Sequence, residues 1–228
     1  MTGLLLHVGG VHGWVEHIVS TRSAAYVKRE TEEPDGPEAT LAWFEQGATK
    51  LLETLLATDP DEPVWNWFDR APAPARFWFR RMAHETAVHR WDGEAGAGEP
   101  GPIAPDLAVD GIDEFLGFVG LWLSRQPVAD LKGSLHLHAT DTDGDGDGGG
   151  GGGDGGGGGG GGGGGEWSID LWPDRIEHRR EHSKADAAIR GPVSDLQLWM
   201  VNRIPADSPR LQLFGNRAII DSWRQLQF

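Results

Sequence analysis

The stretch RRMAHETAVHRWDGE, residues 80–94, combines helix-forming residues with two histidines and two glutamates. On a helix that turns about 100° per residue, Glu85 and His89 lie roughly 40° apart, on the face that also carries Trp78. His84 is five residues from His89, about 140° around the axis, so these two histidines cannot bind the same ion. The metalloprotease pattern H-E-x-x-H is therefore excluded, because it needs histidines four residues apart.

A glutamate and a histidine on an apolar helix face can be stabilised in two ways. They can form a hydrogen-bonded pair at the helix surface, which the pair alone favours, or they can bind a metal. A third ligand favours the metal. His7 is the candidate, because it lies within about 50° of the centre of the apolar stripe of the helix predicted over residues 4–19, whereas His12 and His17 lie farther from that centre.

His7, Glu85 and His89 would together offer two imidazole nitrogens and one carboxylate from facing helices. Zinc, iron and nickel accept such a donor set, and zinc is the most common occupant. Three protein ligands leave one position open, which is typical of catalytic sites where a water or a thiol binds and loses its proton. The sequence therefore predicts a catalytic metal centre.

The composition limits the partners and the compartment. Asp and Glu outnumber Lys and Arg by 35 to 20, so the surface should repel nucleic acid and anionic membranes. The chain contains no Cys, which excludes disulfides, cysteine zinc sites and a thiol nucleophile of the protein's own. Because its apolar stretches are shorter than the roughly 20 residues of a membrane span, we expect a cytoplasmic protein with small-molecule partners.

The hydrophobic periodicity changes near the middle of the chain and predicts two domains of an α+β protein. A helical pattern dominates residues 1–126, and a two-residue alternation typical of an antiparallel sheet begins in residues 127–228. Within the second domain, residues 141–165 are nearly all Gly and Asp, which predicts a disordered loop between two strands. The predicted helices cover 4–19, 41–57, 76–92, 106–125, 192–203 and 216–227, and the predicted strands 134–140, 166–172, 175–181, 187–191 and 210–215.

With these motifs, the chain resembles the mycothiol-dependent maleylpyruvate isomerase family of actinobacteria. LLLHVGGVHGW and RRMAHETAVHRWDGE match its helical half, and LHLHATD, KADAAIRGPVSDLQLWMVNR and LQLFGNRAIIDSW match its C-terminal half. The resemblance implies a DinB-like metal-binding bundle with its metal on His7, Glu85 and His89. The family usually has a helix before the segment that starts here at Met1, so we expect a bundle that lacks its first helix.

The resemblance also implies an activity. In the family, a metal-activated mycothiol thiolate adds to maleylpyruvate and allows cis–trans isomerisation to fumarylpyruvate. A dianionic substrate needs a cation, and Arg203, where the family keeps an arginine, is the catalytic candidate; a solvated arginine at a helix C-terminus is the alternative. Two other functions stay open, namely a mycothiol S-transferase acting on electrophiles and a metal-binding module without catalysis.

Overall fold

The computed structural model describes residues 2–29, 34–68, 72–142 and 164–226. Its contacts divide the chain into two compact units, Met1–Gly101 and Pro102–Phe228. The sequence predicts a domain boundary after residue 126, but the boundary in the structure follows Gly101. The fourth predicted helix, 106–125, therefore belongs to the second unit and not to the first. The predicted combination of a helical N-terminal domain and a C-terminal domain built on a sheet is confirmed.

In its described residues, the first unit contains three helices and two short paired strands. Pro37 lies in the first turn of the second helix. A proline costs little there, because its φ suits a helix and the N–H that it lacks has no partner within the helix. The third helix ends at Gly98, which adopts a left-handed φ of 89° and donates its backbone N–H to the preceding turn. The helices are α1 (Thr2–Ser20), α2 (Pro37–Ala57) and α3 (Arg76–Ala97), and the strands are β1 (Pro63–Val64) and β2 (Ala73–Pro74).

Helix α1 packs between its two partners. Early in α1, Gly9 approaches the Trp43 ring of α2, and later Glu16 contacts Lys50 at 3.0 Å, so α1 and α2 run in the same direction. His12 of α1 lies 3.3 Å from the hydroxyl of Thr86 on α3. Because α1 is covered on two sides, its buried surface is wider than the single stripe that its apolar residues predict.

Tryptophan rings fill much of the core of this unit. The Trp78 side chain of α3 is fully buried, and its indole N–H donates to the backbone oxygen of Trp65 at 2.8 Å. Trp14 of α1 packs edge-to-face on Trp78 with the ring centroids 5.5 Å apart, and its N–H donates to Val27. The hydrogen-bonded indoles join α1, α3 and the connecting segments into one core.

The leucines of helix α2 differ widely in burial. Leu41 and Leu52 are 47% and 58% exposed, whereas Leu51 is buried. A stripe of apolar residues defines a face but not the extent to which neighbouring elements cover it.

The described part of the second unit is built on a five-stranded sheet with helices. The strand order is β5-β4-β3-β6-β7. The prediction of an antiparallel sheet is wrong in one place, because β3 and β6 are parallel. The alternation of apolar and polar residues is the same for both orientations, so it cannot distinguish them. The elements are α4 (Pro105–Leu123), β3 (Gly133–Ala139), β4 (Glu166–Trp172), β5 (Arg175–Arg179), β6 (Ala187–Gly191), α5 (Val193–Met200), β7 (Gln212–Gly215) and α6 (Arg217–Trp223).

Polar contacts attach α4 to the sheet. Asp113 of α4 accepts a hydrogen bond of 2.8 Å from the indole of Trp167 on β4 and pairs with the guanidinium of Arg180 after β5. The apolar stripe of α4 packs in the same unit, with Ile112, Leu116 and others fully buried. The helical pattern of α4 could not assign it to a domain, since the pattern fixes the buried face but not its partner.

The predicted glycine-rich loop lies mostly outside the described residues, because 143–163 are not described. The strands on either side of it, β3 and β4, form the predicted antiparallel pair, with His138 opposite Glu166. Among the described residues, no helix is long and apolar enough to cross a membrane.

Candidate metal centre

The candidate metal centre lies in the first unit, between α1 and α3. Glu85 and His89 are one turn apart on α3, so their side chains project from the same face of the helix. His7 reaches them from α1. Deeper along the same α1–α3 contact, the partly buried Trp14 packs on the buried Trp78 and holds the helices against each other.

The three side chains converge as the helical phases predict. Glu85 Oε1 lies 3.4 Å from His7 Nε2 and 3.2 Å from His89 Nε2. One donor atom from each residue lies within 4.8 Å of the other two. Zinc binds nitrogen and oxygen at about 2.0–2.2 Å, so donors around one ion are separated by about 3–4 Å. The residues present therefore fit a divalent metal by distance and by donor type.

The carboxylate of Glu85 is ionised and held in place. Burial opposes its charge, but the hydrogen bond with His89 and the positive charge of Arg81 more than offset this and lower the pKa of Glu85 to about 2. Arg81 Nη2 lies 3.1 Å from Glu85 Oε2, which leaves Oε1 facing the two histidines. The carboxylate therefore stays ionised throughout the ordinary pH range and is available as a charged donor.

The ring of His89 is oriented by a residue that the sequence argument missed. His89 Nδ1 lies 2.8 Å from Oδ2 of Asp92, one turn further along α3. A proton on Nδ1 donates to this carboxylate and leaves Nε2 directed toward Glu85. The hydrogen bond with Glu85 raises the pKa of His89, and Asp92 adds to that effect. The i,i+3 spacing of the two residues is the signal that could have identified the pair.

Burial of the α1 histidines differs from the prediction. The side chain of His7, expected to point inward, is 49% exposed, whereas His12 is only 3% exposed. The reason is that α2 covers the side of α1 that carries His12, whose ring stacks on Phe44. Neither His12 nor His84 belongs to the group of three, which agrees with the helical phases.

Arg203, the catalytic candidate, lies in the second unit just after α5. Its side chain is partly buried and donates to the backbone oxygen of Val201 at 2.9 Å. Its assignment to substrate binding stays a prediction.

Two helices thus carry a group of two histidines and one glutamate, and a separate sheet domain follows, which defines a two-domain protein with a candidate metal centre. The family model for the mycothiol maleylpyruvate isomerase N-terminal domain matches residues 1–93, and the model for the corresponding C-terminal domain matches residues 106–221. The chain therefore belongs to the mycothiol maleylpyruvate isomerase family. The search of curated proteins gave no match.

Proposed function

We propose that the protein is a metal-dependent, mycothiol-using isomerase of the maleylpyruvate isomerase type, with zinc held by His7, Glu85 and His89. The observation that carries the proposal is the convergence of three donor atoms within 4.8 Å in a chain that matches both family domains. A bound divalent metal would supply Lewis acidity, which lowers the pKa of a thiol in its open position.

The side chains around the centre support this assignment. Glu85 contributes a negative charge that partly neutralises a divalent ion, and Arg81 and Asp92 hold the ligands in their orientations. The exposed ring of His7 leaves one side of the group accessible to a small molecule. The thiol must come from such a molecule, because the chain has no Cys. A reduced small thiol is consistent with a cytoplasmic location.

The substrate that we propose is a small dianion. The overall charge of −15 opposes its binding, so local cations are needed. We propose that Arg203 supplies one of them, since a guanidinium can bind a carboxylate group through two parallel hydrogen bonds. This role is separable from metal binding: loss of Arg203 should raise KM for the dianion and leave the zinc content unchanged.

The test is isomerisation of maleylpyruvate to fumarylpyruvate, measured by chromatography with the zinc-loaded protein and mycothiol. We expect turnover that requires both the thiol and the metal. His89→Ala should lose stoichiometric zinc at this centre and at least about 100-fold of the activity, because a ligand is removed. The control is His17→Ala, which removes an exposed histidine of the same helix as His7.

Two outcomes would replace the proposal. Conjugation of mycothiol to an electrophile such as monobromobimane, without isomerisation, would make the protein an S-transferase that uses the same activated thiol. Stoichiometric zinc without any thiol-dependent turnover would make it a metal-binding module.

A further inference from the structure

A second group of metal-ligating side chains lies in the sheet domain. His136 of β3, Glu166 of β4 and His182 after β5 each offer one donor atom, and these atoms lie within 4.8 Å of one another. The donor set is again two imidazoles and one carboxylate, which suits zinc. None of these residues belongs to the first unit, so the group is independent of the proposed isomerase centre.

The sheet register brings the first two residues together. His136 and His138 are two residues apart on β3, so their side chains project from the same face. On β4, Glu166 lies opposite His138 and Ser168 lies opposite His136, which puts the carboxylate on that face as well. Leu135 and Leu137 project from the other face and are fully buried.

The connection between β5 and β6 brings the third residue. It crosses the polar face of the sheet, where Ser183 donates to the hydroxyl of Ser168 at 2.7 Å and Asp186 accepts from the hydroxyl of Ser134 at 2.8 Å. These two contacts anchor the connection on either side of His136. The ring of His182 therefore lies over that of His136, with centroids 5.0 Å apart and planes at 85°.

An unpartnered buried nitrogen points to a ligand. His136 is only 6% exposed, and among the residues that the structure describes its Nε2 has no hydrogen-bond partner. A buried ring nitrogen without a partner is costly unless something binds it. The side chain of His182 is 74% exposed, so the group has one member that faces solvent.

The carboxylate is held by a further histidine. His138 Nδ1 lies 2.5 Å from Glu166 Oε1, and His182 Nδ1 lies 3.0 Å from the same oxygen. If His182 turns a ring nitrogen to a metal, His138 still orients the carboxylate. Hydrogen bonds of this kind to a ligand carboxylate are typical of metal sites.

We infer that His136, Glu166 and His182 form a second zinc site, which fastens the β5–β6 connection onto the sheet, with His138 as the residue that positions Glu166. Zinc at this site should raise the thermal stability of the second unit, because an ion that binds only the folded state stabilises it.

The experiment is a zinc titration against a chromogenic chelator of micromolar affinity, using the full chain in a His7→Ala/His89→Ala background. That background removes the first centre, so the result does not depend on the proposed isomerase function. We expect one tightly bound zinc per chain and a rise in the thermal midpoint on adding zinc. His182→Ala should abolish both effects, and since its side chain is exposed, the variant should still fold.

Two more variants complete the test. His136→Asn should also abolish binding, whereas His178→Ala, which removes an exposed histidine of β5, should leave it unchanged. His138→Ala should weaken affinity by about 10–100-fold without changing stoichiometry, with recovery in His138→Asn, whose amide can still donate. Weak, non-saturating binding in the background protein, or zinc retention in His182→Ala, would overturn the inference.

Discussion

Asp92 Oδ2 lies 2.8 Å from Nδ1 of His89, so a carboxylate at i+3 orients the ring whose other nitrogen faces Glu85. Asp92→Asn should therefore weaken zinc binding at the first centre by about 10–100-fold, the usual effect of removing such a partner. The measurement is competitive zinc titration in the His182→Ala background, so that one centre is observed. Glu94→Gln is the control, since Glu94 binds Arg90 on the same helix and should not affect zinc affinity.

Zinc binding at the first centre should depend on pH through His89. The hydrogen bond with Glu85 raises the pKa of His89 above its ordinary value of 6.5, and the metal must displace that proton. Because His89 must lose its proton, its contribution should make zinc affinity rise by about tenfold per pH unit around pH 6.5. The affinity should level off once the pH exceeds the raised pKa of His89. Glu85, with a pKa of about 2, should add no dependence between pH 5 and 9.

Calorimetry in buffers of different ionisation enthalpy checks this proton release. About one proton from His89 should be released per zinc at pH 6 and fewer at pH 9. In Asp92→Asn the levelling should occur at lower pH, because Asp92 contributes to the raised pKa. An affinity that is flat from pH 6 to 9 would contradict this account of His89.

The helical periodicity is sufficient to predict that the side chains of His7, Glu85 and His89 converge, because the three residues lie on two regular helices. Positions on a helix are fixed by about 100° per residue, so Glu85 and His89 had to share a face. The burial of His12 and the exposure of His7 could not be derived in this way. They depend on how α2 covers α1, which is a tertiary contact and leaves no periodic signal of its own.

The second group, His136, Glu166 and His182, could not be predicted from the sequence pattern alone. The pattern HLH predicts that His136 and His138 share a face of a strand, and the strands themselves were predicted. Their proximity to Glu166 depends on the register of β3 and β4. The approach of His182 depends on a crossover connection, whose path follows from the parallel pairing of β3 and β6, and the alternation does not encode that pairing.

The close approach of α1 and α2 gives a stability prediction. A Cβ added at Gly9 would lie 2.3 Å from Cζ3 of Trp43, so Gly9→Ala must displace the ring from the helix contact. We expect a loss of about 1–3 kcal/mol in the free energy of unfolding of the first unit, measured by urea denaturation. The control is Gly13→Ala on the same helix, where a Cβ meets nothing within 4 Å. That change should gain up to about 1 kcal/mol, the helix preference of Ala over Gly.

The attachment of α4 to the sheet gives the last prediction. Asp113 accepts from the buried indole of Trp167 and from Arg180, and the Arg180 guanidinium lies over the Trp167 ring, 4.8 Å from its centroid. Asp113→Ala removes the carboxylate that accepts from both residues, and it leaves the buried indole N–H of Trp167 without its partner. We expect a loss of about 2–3 kcal/mol in the unfolding free energy of the second unit, measured by urea denaturation.

Two further variants test why Asp113→Ala lowers the unfolding free energy. Asp221→Ala breaks an exposed pair with Arg217 and should cost less than about 1 kcal/mol. Replacing Trp167 by Phe removes the indole N–H, so Asp113→Ala should cost less in a Trp167→Phe background than in the native chain. Equal costs in the two backgrounds would show that the hydrogen bond to Trp167 does not stabilise the attachment, and that Arg180 accounts for the effect of Asp113.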